Sequence, residues 1–264
     1  MEKLAIIGVG NLGKSILDGI LAGGLFDIDQ ITISSKSKKN LTAVKQLFNV
    51  QVVHDNAKAI VNAKWIVLCV QPKQLHSVLQ DIKGSVQPDQ IIISTVTGVG
   101  ISDINKILSN NKVIRVMPNT AASKKMSMTC IAANSECSEE LKTVDKIFTT
   151  LGKVLVIEEE LMQAATVLGA SGIAFFLRFL RAMIQGGIQM GFHPHEAQII
   201  AVQTAIGAAT LVSENGSHPE CEIDKVTTPQ GCTIQGLNEM EHQGLSSSVI
   251  KGVMASYKKI NSIQ

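Results

Sequence analysis

The chain has 264 residues, of which 45% are hydrophobic and 17% charged, enough apolar side chain to build a core and too little net polarity for intrinsic disorder. Lys and Arg number 24 against 22 Asp and Glu, and aromatic residues make up 3%, which excludes the basic excess and the stacking platforms of a nucleic-acid binder. A small-molecule partner is expected.

In chain order, short β-branched runs at 4–7, 31–33, 52–53, 66–70, 91–93 and 113–116 alternate with segments of helical spacing such as 16–21 and 37–48. Near-continuous apolar strands separated by helices imply a parallel sheet covered on both faces, a doubly wound α/β domain. Two more apolar runs, 128–133 and 154–157, flank a helical segment that starts after Ser138, so the sheet is expected to extend to about residue 157.

After Glu158-Glu159-Glu160 the strand runs stop, and Ala, Gly, Leu and Met dominate in long helical patterns. The expected division is a domain over 1–158 and an all-helical one over 159–264. The most apolar stretches, 161–177 and 197–212, are short for a membrane span, carry Gln163, Gln198 and Gln203, and are expected as buried helices. Segments 171–191 and 196–213 are apolar around most of their circumference, which about 100 residues cannot bury alone. A second copy of the chain is therefore expected to cover them, making a dimer or larger homo-oligomer.

Five cysteines without a CxxC pair fit a reduced setting, and residues 1–10 have no features of a signal peptide, so a cytoplasmic location is expected. The six histidines are scattered, with His193-Pro194-His195 reading as a turn before a helix, and no metal site is expected.

Gly8-Val9-Gly10-Asn11-Leu12-Gly13 directly follows the first strand and opens a helix. In that setting a GxGxxG has a mechanism: the first glycine makes the turn, the second admits a pyrophosphate to the backbone, and the third packs helix on strand. The pyrophosphate would sit on the free amides and positive dipole end of the helix. An NAD site usually carries Asp or Glu about 20 residues further on, to bind the ribose hydroxyls. Here the second strand ends instead in Ser34-Ser35-Lys36-Ser37-Lys38-Lys39, suited to the extra phosphate of NADP, although a solvated basic helix start fits too. Three other strand ends, Val70-Gln71-Pro72, Thr95-Val96-Thr97-Gly98 and Met117-Pro118-Asn119-Thr120, fall where ligands of such sheets bind.

In the helical half, Val226-Thr227-Thr228-Pro229-Gln230-Gly231-Cys232-Thr233-Ile234 offers two capping hydroxyls, a Pro suited to a first helical turn, and a helix running on through Leu237, Met240 and Glu241. Exposed amides and hydroxyls there could hold a carboxylate, and a plain capping motif is the other reading.

The run DKVTTPQGCTIQGLNEME at 224–241 resembles the signature of the pyrroline-5-carboxylate reductase family. Further matches are the glycine loop, VIRVMPNT at 113–120, GASGIAFF at 169–176 and GGIQMGF at 186–192, so the resemblance spans nearly the whole chain. It implies a Rossmann domain followed by a helical dimerisation domain, and reduction of 1-pyrroline-5-carboxylate to L-proline by hydride transfer from NADPH, with NADH possible. By similarity, cofactor contacts fall on Gly8, Val9, Gly10, Asn11, Leu12, Gly13, Ser34, Lys36, Asn56, Cys69, Val70, Gln71, Pro72, Thr95, Val96 and Thr97. Substrate contacts fall on Glu159, Ser171, Gly172, Gly231, Cys232 and Thr233, and the Thr233 hydroxyl meets the ring nitrogen. Ala121, Gln71 and Ile173 depart from the family pattern, which bears on the shape of the substrate pocket. A β-hydroxyacid dehydrogenase, with a similar layout, would need a lysine in 170–180, and there is none. A non-catalytic NADP-binding sensor and a reductase of another cyclic imine are the remaining alternatives.

Overall fold

The computed structural model describes residues 2–109 and 111–262. Among them, eight strands form one sheet: β1 (Leu4–Ile7), β2 (Ile31–Ser34), β3 (Gln51–Val53), β4 (Trp65–Leu68), β5 (Ile91–Ser94), β6 (Lys112–Met117), β7 (Ser127–Ala133) and β8 (Gly152–Val156). Their order is β3-β2-β1-β4-β5-β6-β7-β8. The first six strands run parallel, β7 turns back antiparallel to β6, and β8 follows β7 in parallel. The chain order reverses between β1 and β4, the place where open α/β sheets bind ligands.

Helices α1 (Asn11–Ala22), α2 (Lys38–Phe48), α3 (Asn56–Ala59), α4 (Pro72–Ile82), α5 (Ile101–Leu108) and α6 (Ser138–Thr149) cover the sheet. Successive strand side chains point to opposite faces, and here both faces are buried. Leu4 and Ile6 join a core with Ile16, Leu17, Ile20 and Phe148, while Ala5 and Ile7 join another with Leu75, Leu79 and Ile104. This is why β1 reads as an unbroken apolar run, and it gives the doubly wound, mainly parallel α/β arrangement expected from the sequence.

Beyond β8 a short 3-10 turn, Glu159–Leu161, leads into α7 (Met162–Ala165), a π turn (Thr166–Ser171) and α8 (Gly172–Gln189). Then come α9 (Pro194–Asn215), α10 (Pro219–Val226), α11 (Cys232–His242) and α12 (Leu245–Asn261). Pro194 occupies the first turn of α9, and the His193 amide donates to Glu196 Oε2 at 3.0 Å, closing the helix start. Two compact units result: one takes in the chain up to Ser171 and from Tyr257 onward, the other is Gly172–Ser256.

Within the second unit, Ile184, Ala197 and Ala201 pack α8 against α9, with Gly187 opposite Ala197. Much of the remaining apolar surface is open: Phe176 and Met190 are each 77% exposed. One chain does not bury these helices, which therefore depart from the expectation of burial except through a second copy. Two helical stretches, Glu159–Gln189 and Pro194–Glu214, are long and apolar enough to cross a membrane by length and composition.

Candidate active site

The glycine turn is built as its three positions require. Gly8 stands at φ +94°, and a Cβ there would collide with the Cys69 carbonyl oxygen. At Gly13 a Cβ would collide with the Gly8 carbonyl oxygen, so the third glycine lets α1 lie against the turn. At Gly10 nothing lies within 4 Å of an added Cβ, which leaves the backbone open to a ligand. The turn is held from below, since the Gly8 amide donates to the Ser34 carbonyl at 2.8 Å and the Cys69 amide to the Ile7 carbonyl at 2.8 Å. Gly10 caps α1 with its backbone alone, and the first-turn amides of Asn11, Leu12 and Gly13 precede the first helical bond, Lys14 to Gly10.

A cavity of about 390 Å³ opens over this turn. Gly8, Val9, Gly10, Lys36, Asn56, Cys69, Val70 and Gln71 line it, which brings together eight of the residues expected to hold the cofactor. Ser35, Ser37 and Asn40 from the α2 start, and Lys73 and Gln74 from the first turn of α4, complete much of the wall. Lys36 and Lys73 are the charged residues among the lining, which carries no carboxylate. Open backbone, free helix-end amides and a positive lining fit the pyrophosphate and extra phosphate of NADP.

Ser34 lies under the cavity floor: it is fully buried, and its Oγ donates to Asn56 Oδ1 at 2.8 Å. Asn56 in turn donates from Nδ2 to Asp81 Oδ2 at 3.0 Å. The Ser34 hydroxyl is thus spent on holding Asn56, and Ser35, one residue on, reaches the lining. Strand parity decides which of the two serines faces the cavity. Lys36 Nζ donates to Ser77 Oγ at 3.2 Å, tying the β2 end to α4. Lys73 and Asn40 were missed in the sequence, where only the strand order could have shown that α2 and α4 start side by side.

Asn11, Leu12, Gly13, Pro72, Thr95, Val96 and Thr97 are not among the lining. Thr95 Oγ1 donates to the Leu68 carbonyl at 3.0 Å and lies 3.6 Å from Cys69 Sγ. Burial pushes the Cys69 thiol up to about 12, outweighing the lowering effect of Thr95. It is a neutral packing surface, neither nucleophile nor base. Val96 is buried, and Thr97 Oγ1 lies 3.8 Å from Met117 Sδ.

Of the residues expected at the substrate, Glu159 is engaged inside the first unit. Its Oε1 accepts from the Ile101 amide at 2.7 Å and from Arg115 Nη1 at 3.1 Å. Ser171 ends the π turn and is half-buried, and Gly172 begins α8 and is buried.

In the second unit, residues 227–233 differ from the expected cap. Thr227 ends α10, its hydroxyl donating to the Ile223 carbonyl at 2.7 Å. Pro229 sits in a turn rather than a helix, because Gln230 takes φ +59°, and the Gly231 amide closes the turn on the Thr228 carbonyl at 3.0 Å. Gly231 is then the cap of α11, and a Cβ on it would lie 2.5 Å from Thr228 Oγ1. Cys232 is exposed and Thr233 half-buried in the first turn, where helix amides have no intrahelical partner.

Comparison with known proteins bears on both units. Residues 159–263 match the family model described as pyrroline-5-carboxylate reductase dimerisation, and residues 3–98 match one described as NADP oxidoreductase, coenzyme F420-dependent. The exposed apolar helices are accordingly those of a dimerisation domain, and the first unit carries an NADP-binding domain. Pyrroline-5-carboxylate reductase 1 of Dictyostelium discoideum is 45% identical over 98% of the chain, which spans 49% of that protein's length. Pyrroline-5-carboxylate reductase 2 of the same organism is 40% identical over 100% of the chain and 93% of its own length. Among solved structures, a pyrroline-5-carboxylate reductase from Coxiella burnetii is similar with a TM-score of 0.92 at 26% identity, covering 100% of this chain and 98% of that one. The Plasmodium falciparum pyrroline carboxylate reductase with NADP bound is similar at 0.89 and 25%, covering 99% and 97%. Signature, fold and full-length similarity agree: the chain belongs to the pyrroline-5-carboxylate reductase family.

Proposed function

We propose that this chain carries out the reaction of its family, reducing 1-pyrroline-5-carboxylate to L-proline, with NADPH as the donor and the residues named above in defined roles. The observation that carries the cofactor side is the open Gly10 backbone beneath a cavity with two lysines and no carboxylate in its lining. Gly8, Val9 and Gly10 with the amides of Asn11, Leu12 and Gly13 would hold the pyrophosphate. Lys36 would meet the extra phosphate, with Ser34 and Asn56 fixing the cavity floor beside it. Cys69, Val70, Gln71, Pro72, Thr95, Val96 and Thr97 would form the surface toward the nicotinamide end. When bound, the reduced nicotinamide supplies a hydride.

On the substrate side, Glu159, Ser171, Gly172, Gly231, Cys232 and Thr233 are the proposed contacts. The amides at the start of α11 would take the carboxylate, and the Thr233 hydroxyl would hydrogen-bond the ring nitrogen and orient the C=N bond. The chain's own contribution is then positioning and charge complementarity rather than covalent catalysis. The reading also includes a domain division at 158/159, larger assemblies built from dimers through the helical half, and a cytoplasmic setting that suits the free thiols of Cys69, Cys130, Cys137, Cys221 and Cys232.

The test is cofactor consumption by the purified protein with pyrroline-5-carboxylate, using NADPH and NADH in parallel. Oxidation of NADPH well ahead of NADH is expected. A preference for NADH would remove Lys36 as a phosphate contact, and binding of NADPH without turnover would point to a different imine. Thr233→Ala should cost about 5- to 150-fold in kcat/KM, the loss of one transition-state hydrogen bond, and unchanged kinetics would take Thr233 out of the mechanism.

A further inference from the structure

No side chain of the motif VIRVMPNT at 113–120 is among the proposed cofactor or substrate contacts, yet two of its polar side chains are nearly buried, Arg115 at 3% and Asn119 at 7% exposure. Both reach into the same stretch of chain. Arg115 Nη1 donates to Glu159 Oε1 at 3.1 Å where that stretch begins. Asn119 Nδ2 donates to the Gly169 carbonyl oxygen at 3.0 Å where it ends, inside the π turn Thr166–Ser171. A π turn inserts a residue into the helical ladder and shifts its carbonyls off their regular donors, so a side-chain donor has a place there. Such turns cluster at functional sites.

The Asn119 carboxamide has little freedom. Its Oδ1 accepts from the Ala121 amide at 2.9 Å, and its own backbone amide donates to Ser127 Oγ at 3.0 Å. With the oxygen committed to Ala121, the nitrogen is left for Gly169. Of the short side chains, only an Asn or a protonated Asp offers donor and acceptor in one plane at this reach.

We infer that Asn119 is a positioning residue for the substrate: by fastening the Gly169 carbonyl it sets the π turn, and with it the place of the Ser171 hydroxyl two residues on. This rests on the proposed role of Ser171 as a substrate contact.

The experiment is steady-state kinetics of the full chain with pyrroline-5-carboxylate and NADPH for the wild type, Asn119→Asp and Ser171→Ala. Asn119→Asp keeps the acceptor for Ala121 and, when ionised, loses the donor to Gly169. Its KM for the imino acid should rise about tenfold near neutral pH, with a smaller change in KM for NADPH. Burial beside a carbonyl favours the neutral form of the introduced carboxyl, so as pH falls its regained O–H should narrow the gap to wild type. A purely structural defect would not follow pH in that way. A wild-type KM for Asn119→Asp, or a deficit equal at every pH, overturns the inference. If Asn119→Asp does not fold, Asn119→Ser decides, since its hydroxyl is too short to reach the Gly169 carbonyl, can still accept from the Ala121 amide and adds no charge; a raised imino-acid KM supports the inference and an unchanged one overturns it. A raised KM in Ser171→Ala with a normal one in Asn119→Asp overturns the positioning role alone. An unchanged KM in Ser171→Ala removes the substrate role of Ser171 and this inference with it.

Discussion

At Gly8 the backbone stands at φ +94°, and an added Cβ would drive into the Cys69 carbonyl and come 2.8 Å from Val70 Cγ1, whereas at Gly10 it would meet nothing within 4 Å. The two glycines therefore serve different ends, one structural and one for the ligand. Gly8→Ala should cost about 1 to 3 kcal/mol or more from backbone strain alone, before the collision is counted, and lower the melting temperature with or without cofactor. Gly10→Ala, at φ −73° and without a collision, loses only the preference of the cap position for glycine over alanine and should lower the unliganded melting temperature less than Gly8→Ala. Its methyl group would occupy the approach to the helix-end amides, so NADPH affinity should fall well below wild type. Thermal melts and a fluorescence titration on both variants check this; equal losses of stability at the two positions would contradict it.

Between elements, Lys112 on β6 and Glu140 in the first turn of α6 are paired at 2.6 Å, with the Glu140 side chain 13% exposed. The hydrogen bond from Lys112 holds the Glu140 carboxyl below its usual range, and the same bond raises Lys112. A depressed carboxylate pKa means that the stabilisation is complete above the unfolded value and is lost as pH falls through the folded one; for Lys112 the loss comes at the alkaline end. Glu140→Gln should therefore lower the melting temperature at neutral pH and flatten its decline on acidification, so that the two curves converge in acid. Parallel curves would show that the pair does not set the acid limb. The pairing itself could not be read from the sequence, because it depends on α6 starting beside β6. The strands could: Leu4-Ala5-Ile6-Ile7 is apolar at every position because both faces of β1 are covered. Strand direction leaves no mark on such a run, so the reversal of β7 was not legible. Nor was the π turn at Thr166–Ser171, since one inserted residue barely shifts a helical apolar pattern. The glycine turn was legible through its fixed spacing, while Lys73 and Asn40 reach the cavity only through the order of the strands.

At the scale of the molecule, the first unit encloses its own core, with Leu4, Ile6, Ile16, Leu17 and Phe148 fully buried, but the second is not built that way. Phe176 is 77% exposed, Leu177 58%, Met190 77%, Ile199 56% and Ile250 63%, all within the segment matched as a dimerisation domain. Covering a large apolar side chain is worth about 1.5 to 3 kcal/mol, and monomers rarely leave a broad apolar surface open. Several such residues together make the free energy of folding depend on association, so the melting temperature should rise with protein concentration. Phe176→Glu places a charge on this face, where its desolvation opposes contact with a second copy. The variant should shift sedimentation from dimer toward monomer and abolish the concentration dependence of melting. Because the first unit has its own core, dinucleotide binding should weaken far less than proline formation in the same variant. A wild-type dimer with Phe176→Glu would place the contact on another face of α8, and a concentration-independent melting temperature in the wild type would mean that these helices do not need a partner to fold.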